Sequence, residues 1–110
     1  MSLDASVRDR LTTCLAQISP PVVAAYLFGS TARGEPTPLS DVDIAVYLNE
    51  PSREARVAAY LGLRRRLAEA LANGPVDLVL LNDAPPALAG RIIAGDLLYA
   101  ADERERIRLA

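Results

Sequence analysis

The chain has 110 residues, 51% of them hydrophobic and 5% aromatic, which is enough for one domain with one core and too apolar for a disordered segment. Its net charge of −2 argues against a general nucleic-acid binder, whose surface would be basic. There is no histidine, and all twelve basic residues are arginine. Ser-His-Asp triads, zinc sites built on histidine, lysine Schiff bases and the usual lysine-bearing phosphate loop are therefore excluded. Side-chain chemistry falls to Asp, Glu, Arg, Ser and Tyr, an inventory that favours a metal-assisted mechanism.

Along the chain, Val7, Leu11, Cys14, Leu15 and Ile18 recur at helical spacing, with Asp4 as the expected N-cap. That spacing makes Cys14 a buried thiol rather than a nucleophile, and a lone cysteine suits a reducing cytoplasm. Met1-Ser2-Leu3-Asp4 has none of the marks of a signal peptide, and no apolar run approaches the ~20 residues of a bilayer span. A cytoplasmic protein without membrane contact is expected. Ser19-Pro20-Pro21 stops the helix. The continuous apolar run from Val22 to Phe28 predicts a strand covered on both faces. Residues 29–34 fit a tight turn opening a short helix, and residues 35–40 a loop stiffened by two prolines.

A second strand is predicted over residues 41–48, with Val42, Ile44, Val46 and Leu48 on one face and Asp41, Asp43 and Ala45 on the other. Ser52 caps a long helix carrying Tyr60, Leu63, Leu67, Ala70 and Leu71. Asn73-Gly74-Pro75 is expected to end that helix with a left-handed cap. Val76 to Leu81 reads as a third strand, apolar except for Asp77. Asp83 is expected to cap a helix carrying Leu88, Ala89, Ile92 and Ile93. A short apolar piece, Leu97-Leu98-Tyr99, precedes a charged stretch from Asp102 to Arg108 that reads as helical. The order is αβαβαβα in a single domain spanning residues 1–110, without repeats or linkers.

The chemistry concentrates at three places. Asp41 and Asp43, two apart on a strand, point the same way with Cα atoms about 6–7 Å apart. Their repulsion, about 2 kcal/mol at an effective dielectric of 20, turns into binding if they share a cation. Oxygen ligands without nearby His or Cys suit Mg²⁺, which also takes phosphate oxygens. On their own these would be two solvated acids at a strand start; Gly29-Ser30 upstream tips the reading to a metal site. Gly29 lets the backbone turn sharply, and the following N–H groups with the Ser30 hydroxyl can hold phosphates. Arg33, about one helical turn on, suits either the triphosphate or a surface salt bridge.

Asp77 interrupts an apolar strand, where an unpaired charge is costly to bury. If the third strand lies beside the second, Asp77 faces the same cleft and can accept the proton of an attacking hydroxyl; otherwise it is an exposed strand end. Arg64-Arg65-Arg66 is either a solvated face or a contact for an RNA or an acidic partner.

With the residues assembled, the chain resembles the DNA polymerase β-like nucleotidyltransferase superfamily, and within it the minimal nucleotidyltransferase (MNT, MntA-type antitoxin) branch. The resemblance rests on Phe28-Gly29-Ser30-Thr31-Ala32-Arg33-Gly34, Ser40-Asp41-Val42-Asp43-Ile44-Ala45-Val46 and Val76-Asp77-Leu78-Val79, and continues through Leu81-Asn82-Asp83-Ala84-Pro85 to Leu98-Tyr99. It implies an α+β fold, the polymerase β-like palm, with an αβαβαβ core and a small mixed sheet flanked by helices. It further implies two Mg²⁺ ions between Asp41, Asp43, Asp77 and a bound ATP whose phosphates meet Gly29, Ser30 and Arg33. The implied activity is AMP transfer to a hydroxyl, a tyrosine of a HEPN-domain RNase toxin, with antitoxin and toxin forming a hetero-oligomer. Two alternatives stay open: an antitoxin that acts by contact alone, and a nucleotidyltransferase for a small molecule or a tRNA end.

Overall fold

The computed structural model describes residues 5–18, 20–29, 42–72 and 74–101. The expected N-cap Asp4, the turn-helix and loop over 30–40, Asp41 and the charged tail from residue 102 lie outside them. Helix α1 spans Ala5–Gln17, strand β1 Val22–Leu27 and strand β2 Val42–Leu48. Helix α2 runs over Arg53–Ala70 and strand β3 over Val76–Leu80. A 3-10 turn at Leu81–Asp83 leads to helix α3, Pro86–Ile93, and strand β4, Asp96–Ala100. The sheet order is β3-β2-β1-β4, with β2 and β3 parallel and the other pairs antiparallel. This is the small mixed sheet of an α+β domain, flanked by helices.

The apolar pattern of each strand dictates what covers it. All six residues of β1 are buried, as its unbroken apolar run requires of the strand between β2 and β4. One face of the sheet presents Ala25, Leu27, Ile44, Val46, Leu48, Val76 and Leu78 to Leu11 and Leu15 of α1 and Leu63 and Leu67 of α2. Each buried leucine there contributes about 1.5–3 kcal/mol. The opposite face is built of smaller residues: Ala24, Tyr26 and Ala45 pack with Leu81 and Ile92, while Leu88 and Ala89 of α3 close over them. The alternation along β2 thus sorts its residues as the sequence predicts, with Asp43 on the Ala45 side.

Local signals hold α2 in place. The Ser52 hydroxyl accepts from the Ala55 amide at 3.2 Å, the expected N-cap. At the other end, among the described residues, Ala72 is left-handed, at φ 57°, and Gly74 is not, its amide donating to the Leu71 carbonyl at 3.1 Å; Asn73 of the expected cap lies outside the described residues. The parallel β2–β3 pair needs a long crossover, and α2 supplies it. At the far end of that pair the Asn82 side chain behaves like one more peptide unit. It accepts from the Leu48 amide at 2.9 Å and donates to the Leu48 carbonyl at 3.0 Å.

β3 is an edge strand, and α2 shields its open side. The Val42 amide donates to the Pro75 carbonyl at 3.0 Å, so Pro75 faces β2 and the alternating Val76 and Leu78 carbonyls face outward. Tyr60 donates its hydroxyl to Leu78 at 2.8 Å, and Arg64 donates Nε to Val76 at 3.2 Å. Two side chains four apart on a helix thereby cap two carbonyls two apart on a strand, blunting an edge that could otherwise pair with another chain.

Two expectations are corrected. Asp83 does not cap α3, whose N-cap is Pro85 with no side-chain bond. Its carboxylate takes both arms of Arg56, from Nε at 3.1 Å and Nη2 at 2.7 Å, while Arg56 Nη1 donates to the Glu50 and Pro51 carbonyls. A buried guanidinium needs a bidentate partner more than a helix needs a cap. The piece around Leu97-Leu98-Tyr99 is strand β4, paired with β1.

Candidate active site

Asp43 is the second residue of β2 and Asp77 the second of β3, and the parallel register sets them directly side by side. Partners in such a pair have Cα atoms about 4.8 Å apart and side chains on one face. The two carboxylates, 34 residues apart in sequence, therefore share the face that carries Ala45. Asp43 is half-buried and Asp77 is exposed on the edge strand.

Gly29 completes the corner. The Phe28 amide donates to the Asp43 carbonyl at 3.1 Å, which carries the β1–β2 ladder past the end of β1 and delivers Gly29 beside Asp43. Gly29 sits at φ 60°, a left-handed conformation that favours glycine, and a Cβ built there would lie 2.5 Å from Asp43 Oδ2. Backbone and carboxylate are in such close contact that any side chain at position 29 would displace the acid. Gly29 and the Asp43 carboxylate thus meet at one corner of the sheet. Hard oxygen donors arranged this way fit Mg²⁺. Among the described residues no three His, Cys, Asp or Glu side chains come together. Ser30, Arg33 and Asp41 fall outside those residues.

On the other side of Gly29 lies a cleft of about 350 Å³, lined by Leu27, Phe28, Gly29, Leu88, Arg91, Ile92 and Gly95. The helical spacing points to Leu88 and Ile92 as a packing stripe; it offers no sign that Arg91, one residue off that stripe, borders a cavity.

The remaining candidates lie elsewhere. Cys14 sits half-buried between α1 and α2, where burial pushes its thiol up against the opposing pull of Arg66, so it is no thiolate nucleophile. Arg65 and Arg66 are exposed on α2, while Arg64 spends its Nε on the edge carbonyl of β3. The Asp83 carboxyl is held below its ordinary range by its hydrogen bonds with Arg56, at the far end of the sheet from Asp43.

A domain with this sheet, a glycine corner and neighbouring strand carboxylates belongs to a recognisable class. Residues 11–104 match the family described as polymerase beta, nucleotidyltransferase, and the chain belongs to that family, in its minimal nucleotidyltransferase branch. Among solved structures, a chain of a toxin–antitoxin complex with AMP-PNP is 30% identical with a TM-score of 0.74, covering 94% of this chain and 80% of that one. A chain of the MntA-HepT toxin–antitoxin complex is 27% identical with a TM-score of 0.65, covering 96% and 83%. A third match, 28% identical with a TM-score of 0.62 over 94% and 80%, comes from a complex of tri-AMPylated Shewanella oneidensis HEPN toxin with MNT antitoxin. No curated protein matches the sequence.

Proposed function

We propose that this chain is a Mg²⁺-dependent nucleotidyltransferase that moves AMP from ATP to a hydroxyl, a tyrosine, of a partner HEPN-type RNase toxin, and so serves as the antitoxin of the pair. The observation that carries this reading is the placement of Asp43 in register with Asp77 while Gly29 presses against the Asp43 carboxylate. The likeness to complexes of MNT antitoxin with AMPylated HEPN toxin and to one holding AMP-PNP supports the choice of partner and nucleotide.

In this reading Asp41, Asp43 and Asp77 hold the magnesium, with two ions as the expected complement, and Gly29, Ser30 and Arg33 hold the triphosphate. Bound Mg²⁺ supplies charge neutralisation at the phosphates. Asp77, exposed at the sheet edge, meets the acceptor hydroxyl and takes its proton as the oxygen bonds to the α-phosphorus and pyrophosphate leaves.

The test is incubation of the chain with labelled ATP, Mg²⁺ and the purified toxin. Label should appear on the toxin and its RNase activity should fall; Asp41→Asn with Asp43→Asn should abolish both. Neutralisation that survives the double substitution, with folding and toxin binding intact, would replace catalysis with simple contact as the mechanism.

A further inference from the structure

The transfer chemistry above does not say where the acceptor protein rests. We infer that it docks on the outer face of α2 and in the groove where that helix meets the start of β3, through an acidic segment with an apolar anchor. The inference rests on the nucleotidyltransferase reading. Val57 and Leu61 are large hydrophobic residues left exposed, at 54% and 71%. They stand one turn apart, off the side of α2 that buries Leu63 and Leu67, and Arg65 continues their row one turn further on. A lone exposed leucine asks for no explanation. Here, however, Leu61, Arg64 and Arg65 also line a groove of about 260 Å³ that runs to Pro75 and Val76.

Position and charge choose the occupant. The residue after Val76 is Asp77, exposed on the edge strand. Val76 and Leu78 face α2 and Asp77 the other side of the sheet, so a segment seated in the groove reaches Asp77 by passing round the edge of β3. Strand addition is blocked there, because Tyr60 and Arg64 already hold the Leu78 and Val76 carbonyls. Contact falls to side chains. The groove is lined by two arginines and no acid. Arg65 forms no hydrogen bond or ion pair among the described residues, although Glu69 stands one turn on. In a chain of net charge −2 this is a local positive patch, complementary to carboxylates. Leu61 and Val57 beside it favour a protein over an RNA, whose phosphates gain nothing from aliphatic contact.

Steady-state AMP transfer by the full chain, with ATP and purified toxin varied separately, tests this. Arg65→Glu should raise KM for the toxin by about five- to tenfold at low salt, less as salt is added, and leave kcat and KM for ATP unchanged. Leu61→Ser should raise KM for the toxin at every salt concentration. Both residues are exposed, so melting temperatures should match the parent's. An unchanged KM for the toxin in either variant, or an equal rise in KM for ATP, would overturn the docking surface and leave the transferase standing. So would a loss confined to binding of single-stranded RNA, or a loss of self-association in sedimentation, which would give the patch to RNA or to a second copy of the chain. A parent that transfers no AMP to the toxin would remove the transfer reading, and this surface with it.

Discussion

The two faces of the sheet divide the work. One carries branched aliphatic residues under α1 and α2 and is sealed, with Leu11 and Leu67 fully buried. The other carries alanines, Tyr26 and two aspartates, and α3 covers only part of it. Small residues leave space, and acids beside that space are costly unless something positive joins them. The aliphatic packing is concentrated on the first face and the candidate site on the second, so substitutions on the two should have separable effects.

The largest effect tests that separation from the reactive side. Asp77→Asn should lower AMP transfer by about 10²–10⁴, the usual contribution of a positioned base, while the melting temperature stays close to that of the parent. A large drop in melting temperature instead would mean that Asp77 supports the fold and the division fails. From the sealed side, Leu67→Ala should destabilise the domain by about 2–5 kcal/mol in chemical denaturation while transfer per folded molecule is unchanged.

Gly29→Ala probes the border between the faces. It combines a left-handed backbone with a Cβ 2.5 Å from Asp43 Oδ2, so both readouts should fall: stability by about 1 kcal/mol for the backbone alone, and transfer because the acid is displaced. Unchanged transfer would show that Asp43 tolerates movement.

The smallest effect is the pH dependence tied to Asp83. Arg56 lowers its carboxyl in the folded state, so the ion pair stabilises above the ordinary carboxylate range near pH 4 and that contribution is lost as pH falls through the folded value. Denaturation midpoints followed downward from pH 6 should decline less steeply in Asp83→Asn than in the parent.

Much of this architecture is legible in the sequence. The unbroken run of β1, the alternation of β2 and the Ser52 cap with the helical stripe of α2 each follow a single period, and those elements form where expected. β4 is not legible, because Asp96–Ala100 has no strand pattern of its own and becomes a strand by pairing with β1. Asp83 misleads for a related reason: a capping position looks local, but its partner Arg56 is 27 residues away. At the candidate site, the sequence offers Gly29, Asp43 and Asp77 as candidates, the acids gaining weight from the Gly29-Ser30 pair upstream. Their meeting depends on β3 lying beside β2, which no local pattern states. Arg91 carries no signal at all, since one arginine beside a helical stripe is the ordinary surface residue.

Asn82 has a reach longer than its side chain. By gripping both backbone groups of Leu48 it locks how β3 slides against β2, and a slip of one position would turn Asp77 to the opposite side of the sheet. Asn82 stands five residues beyond Asp77, in the 3-10 turn that follows β3. A neutral amide thus acts as the alignment pin of the candidate pair, and wear at that pin would be felt in both carboxylates at once.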